Sequence, residues 1–128
     1  MPDGFPEWSG IMTSWGKSLY TAVDLVSEML ARGLGLDAAA FTRLTRNGPH
    51  LLAPTGTRLN ESNAVLDKVY AGFHTDLNFI TIHGQSRYPG LFIWPKDGKK
   101  IQVRVPRGCL LLQAGKQLEL LTAGLIQV

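Results

Sequence analysis

The feature that most constrains this chain is a change of hydrophobic period near residue 48. Before it, Leu19, Ala22, Val23, Val26, Met29 and Leu30 recur at three- and four-residue spacing. That spacing lines them up on one face of a helix. After it, apolar runs are short and separated by glycine and proline. Ile101, Val103 and Val105 alternate with Gln102 and Arg104, the pattern of a half-buried strand. Helices first and many antiparallel strands afterwards predict an α+β chain whose second part is a sandwich or barrel.

The punctuation refines this. Residues 1–12 hold two prolines and two glycines and read as an irregular lead-in. Thr13 or Ser14 caps a helix beginning near Trp15, and Gly33 or Gly35 ends it. Asp37 caps a shorter helix carrying Phe41 and Leu44, which stops before Asn47-Gly48-Pro49. Residues 50–53 read as a short strand and 55–63 as a polar loop. Further strands are expected at 77–82, 91–94, 101–105, 109–113 and 125–128. Asp97-Gly98 marks a hairpin turn, Pro106-Arg107-Gly108 another turn, and 116–121 a short helix.

At 128 residues the chain is expected to be a single domain. We divide it into a helical support region, 1–48, and a strand region, 49–128. Its 45% hydrophobic and 18% charged content suits a globular protein with a core. The net charge of +3 is scattered, and Lys96, Lys99 and Lys100 read as a solvated turn, so nucleic acid is not expected as a partner. No apolar run approaches a membrane span, and no signal peptide pattern opens the chain, so no membrane partner and a cytoplasmic location are expected. Cys109 is the only cysteine. It excludes an intrachain disulfide or a Cys-based zinc site, and its leucine neighbours predict a buried, inert thiol.

One tripeptide points to chemistry. In an extended chain the side chains of His74 and Asp76 share a face while Thr75 points away. An imidazole and a carboxylate on one face are two-thirds of the 2-His-1-carboxylate triad that holds non-haem Fe(II) with open positions. The chain has three histidines. His83 is nine residues from His74, an odd offset that a continuous strand places on the opposite face unless a bulge intervenes. His50 lies beyond a long polar loop.

Residues 73–124 resemble the Fe(II)- and 2-oxoglutarate-dependent oxygenases of the isopenicillin-N-synthase-like class. Gly72-Phe73-His74-Thr75-Asp76 looks like that family's metal-binding His-Thr-Asp segment, followed by the Phe79-Ile80-Thr81-Ile82 strand. Pro89-Gly90-Leu91-Phe92-Ile93-Trp94 is similar to its Gly-Leu-x-Val strand. The stretch from Pro106 through Gly108 and Gly115 to Thr122-Ala123-Gly124 is similar to its Pro-x-x-Gly to Thr-Asn-Gly region, with Lys116 where the family usually has Asp. The helix over 15–36 looks like the long helix that supports the family's barrel. The tyrosine-containing strand that precedes the metal segment in the family is not seen over residues 54–59.

The resemblance implies helices packed on an antiparallel double-stranded β-helix, or jelly roll, incomplete at its C-terminus. It implies Fe(II) held by His74 and Asp76, 2-oxoglutarate as cosubstrate, and oxidation of a small organic substrate. In the family the second metal histidine follows the Thr-x-Gly turn and an arginine for the 2-oxoglutarate carboxylate follows that. Both would fall past Val128. Three readings are therefore carried forward. The chain is an oxygenase lacking its last strands, an inactive jelly-roll binding module, or a homo-oligomer that completes the site in trans or exchanges strands through residues 125–128.

Overall fold

The computed structural model describes residues 2–56, 60 and 64–128. The polar loop expected over 55–63 lies largely outside them. Three helices and four short strands follow in the order α1 (Trp8–Gly33), α2 (Thr42–Thr45), β1 (Ile80–His83), β2 (Phe92–Ile93), β3 (Ile101–Gln102), β4 (Leu111–Ala114) and α3 (Lys116–Leu121). The chain is thus α+β with antiparallel pairing. It forms two units, 1–72 and 73–128.

In the first unit, α1 starts about two turns earlier than its cap signals suggest. The N–H of Trp8 bonds the Phe5 carbonyl and that of Ile11 the Glu7 carbonyl, so helical bonding begins directly after Pro6. Ser18 and Thr21 donate back to the carbonyls four residues earlier, a bond that lets hydroxyl residues sit inside a helix rather than cap it. The buried line runs through Leu19, Ser27 and Ala31, while Met29, expected inside, is 63% exposed. Ser27 and Ala31 are small enough to vanish completely from solvent, and the Ser27 hydroxyl donates to the Val23 carbonyl, 2.7 Å away. The helix ends as its glycines predict. Gly35 has φ +72°, its N–H bonds the Arg32 carbonyl, and that of Leu36 reaches back to Ala31, the paired bonds of a Schellman end.

Asp37 Oδ1 accepts from the Ala39 N–H at 3.0 Å and so opens the turn leading to α2. Phe41 and Thr42 are buried there. Residues 50–53 form no strand. Instead His50 Nε2 lies 2.8 Å from the Thr45 carbonyl, and its ring meets Tyr20 edge-on at 4.6 Å. Leu52 packs so closely on Gly16 that a Cβ there would stand 3.2 Å from its Cδ2. This segment lies along α1, where no strand offers it a ladder.

The second unit holds two separate two-stranded antiparallel sheets, β1–β4 and β2–β3. Phe79 and Leu118 are its buried apolar side chains. The expected strand over 77–82 is shortened to Ile80–His83 because the carbonyls before it are used otherwise. Those of Asp76, Asn78 and Phe79 accept the N–H groups of Lys116, Gln117 and Gly115. The start of α3 is therefore capped by another segment's backbone, since Gly115 supplies no side-chain cap. Residues 125–128 are likewise not a strand. Ala123 and Gly124 adopt φ +49° and +80° and fold the chain back along α3. There Thr122 Oγ1 takes the Ile126 N–H, and Glu119 Oε2 the Val128 N–H.

Cys109 is exposed rather than buried. It closes the turn that begins at Pro106, whose carbonyl takes its N–H, and β4 starts only at Leu111. Among the described residues, no helix is long and apolar enough to cross a membrane.

Candidate metal site

His74 and Asp76 precede β1 in extended chain, and their side chains do meet. His74 Nε2 and Asp76 Oδ1 are 3.6 Å apart. The imidazole is 65% exposed and the carboxylate 19%, so the pair sits at the surface with the acid set deeper. Two ligands at about 2.1 Å from one ion at right angles lie about 3 Å apart. A small side-chain adjustment brings this pair to that spacing. The donor set, one imidazole and one carboxylate, suits Fe(II) and its neighbours in the first transition row.

The second carboxylate oxygen is tied back into the sheet. Thr81 Oγ1 donates to Asp76 Oδ2, and Gln113 Nε2 lies 3.5 Å from the same atom. Thr81 and Gln113 are direct partners in the β1–β4 ladder, so both side chains stand on one face. Asn78 Nδ2 in turn donates to Thr81 Oγ1 at 2.8 Å.

Thr81 was not among the residues singled out from the sequence, for a definite reason. It is five positions from Asp76, which in a continuous strand puts it on the other face. The chain bends at Asn78 and Phe79, and the bend resets the alternation. The only available hint was the polar Thr81 within an apolar run.

The same bend puts His83 on the Thr81 side of β1, without a classical bulge. His83 stands at the exposed end of that strand, opposite Leu111. His50 belongs to the first unit, with its contacts to Thr45 and Tyr20. Among the described residues, no three of His, Cys, Asp or Glu gather into a metal-holding group.

On the neighbouring sheet, Asp97-Gly98 makes the expected hairpin turn. Gly98 has φ +75°, its N–H bonds the Pro95 carbonyl, and Asp97 pairs with Lys99 at 2.9 Å. That ammonium and the Lys99 N–H hold the Asp97 carboxyl below its usual range. Trp94 is 42% exposed and meets Phe73 edge-on at 5.3 Å. Lys100 Nζ lies 4.0 Å from the Phe92 ring centre, a cation–π contact. At α3's first residue, Lys116 Nζ pairs with Glu119 Oε2 at 2.6 Å and, first among several causes, lowers the Glu119 pKa. Lys116 thus serves its own helix.

Compared with family models, with curated proteins and with solved structures, the chain finds no match.

Proposed function

We propose that this chain carries one side of the iron site of an Fe(II)- and 2-oxoglutarate-dependent oxygenase acting on a small organic substrate. The observation that carries the reading is the His74–Asp76 pair, with donor atoms 3.6 Å apart and the far carboxylate oxygen bonded away by Thr81. The ordered resemblance of the strands and turns after that pair, from Phe79 to Gly124, supports the reading further. On this reading β1–β4 and β2–β3 belong to a double-stranded β-helix.

When bound, iron with 2-oxoglutarate and O2 supplies oxidation of a C–H bond. What this chain contributes is ligand geometry. His74 gives a neutral nitrogen and Asp76 one anionic oxygen. The bonds of Thr81 and Gln113 keep the carboxylate from swinging round to offer both oxygens, so the remaining coordination positions stay open for cosubstrates.

The test is Mn(II) titration of the 128-residue chain, read by loss of the free-ion EPR signal. The wild type is expected to bind, and His74→Ala to weaken binding at least about tenfold. Equal binding by the two proteins removes His74 from the site. No binding by the folded wild type overturns the proposal in favour of the interaction module.

A further inference from the structure

Resting on that reading, we infer that Thr81 is a positioning residue for Asp76, with its hydroxyl proton aimed by Asn78 and Asn78 seated against Gly115. The direction of each bond follows from what the groups can give. The Asn78 amide nitrogen is only a donor, so at 2.8 Å Thr81 Oγ1 must accept from it. The single hydroxyl proton of Thr81 is then left to point elsewhere, and Asp76 Oδ2 receives it. A carboxylate has no proton to return, so the chain of bonds runs one way, from Asn78 through Thr81 to Asp76. The acceptor is charged, which makes the last bond the strong one. Asp76 Oδ1 is turned toward His74 as a consequence.

Gly115 completes the device from the other strand. Its N–H bonds the Phe79 carbonyl, and a Cβ at this position would collide with both the backbone and side-chain oxygens of Asn78. The residue is buried with φ −109°, a conformation open to any amino acid. Glycine is therefore required for space and not for backbone freedom. Only without a side chain here can Asn78 take the place from which it reaches Thr81.

Mn(II) affinity and thermal melting of the wild type and four variants test this. Thr81→Val keeps the shape and removes the hydroxyl, and it should bind Mn(II) about tenfold more weakly, the lower end of what outer-layer partners of metal ligands contribute. Thr81→Ser restores the donor and should bind like the wild type. Asn78→Ala removes an exposed side chain, so the fold survives even if Thr81→Val does not. It should lose about threefold, because the hydroxyl keeps its reach and loses its aim. A purely structural role would lower the melting temperature of Thr81→Val without separating it from Thr81→Ser in metal affinity. Wild-type affinity in Thr81→Val or in Asn78→Ala, with His74→Ala still defective, overturns the inference and leaves the iron site standing. Failure of the wild type to bind overturns both.

Discussion

The two small sheets of the second unit are built in opposite ways. The β2–β3 sheet is a local hairpin, with Phe92 opposite Gln102 and Ile93 opposite Ile101, closed by one Asp-Gly turn. The β1–β4 sheet joins Ile80 to Ala114 and His83 to Leu111, partners far apart in the chain, with the whole hairpin between them. A short loop costs little entropy to close, while a long one must be repaid by contacts. Accordingly the hairpin carries cation–π, ring and ion-pair contacts at its surface. Flanking the long-range sheet are the buried Phe79, just before β1, and Leu118, in α3, together with the docked start of α3 and the His74–Asp76 pair. The His74–Asp76 pair thus sits where the tertiary contacts are concentrated.

Three substitutions press on this contrast. Gly115→Ala should have the largest effect, about 3 kcal/mol, the upper range for forcing atoms into packed space. Urea unfolding measures it, and amide hydrogen exchange should show β1 and β4 losing protection before β2 and β3. Equal loss in both sheets would mean that they form one cooperative structure. Gly98→Ala should cost about 1 kcal/mol, since an L-residue must hold a left-handed conformation at φ +75°. It should leave Mn(II) affinity unchanged, and a fall in affinity would couple the hairpin to the metal site.

Lys116→Met should have the smallest effect, visible only with pH. Glu119 has its pKa lowered in the folded chain, chiefly by Lys116. Its contribution to stability is therefore present above the ordinary glutamate value of 4.5 and is lost as pH falls through the depressed folded one. In Lys116→Met the NMR titration midpoint of Glu119 should rise, and that acid-side loss of stability should flatten. An unmoved midpoint would show that the pair is not formed in solution.

Much of the local structure was legible in the sequence. The Gly35 helix end, the Asp37 turn, the Asp97-Gly98 hairpin and the short helix over 116–121 all follow from residues acting on their own neighbours. The errors have separate causes. The helix begins at Trp8 because helical bonding to the Phe5 and Glu7 carbonyls starts directly after Pro6. Residues 77–79 leave the strand because α3 takes their carbonyls, and residues 125–128 fold back because Thr122 and Glu119 offer acceptors. Cys109 lies outside because its turn runs one residue further than the apolar run implies. Only at 77–79 did the backbone choose a partner far away in the chain; the others are local choices that the hydrophobic pattern does not report.

The candidate site divides the same way. That His74 and Asp76 share a side was readable, because two residues apart in extended chain allow little else. That Thr81, Asn78, Gln113 and Gly115 surround Asp76 was not, because a bend at 78–79 and a strand pairing across some thirty residues bring them there. The sequence by itself determined the α+β order of elements, the turns and the shared side of His74 and Asp76, all set by spacing and by local backbone preference. Only the tertiary structure decided which carboxylate oxygen faces the histidine, since that depends on hydrogen bonds between segments that no local pattern encodes.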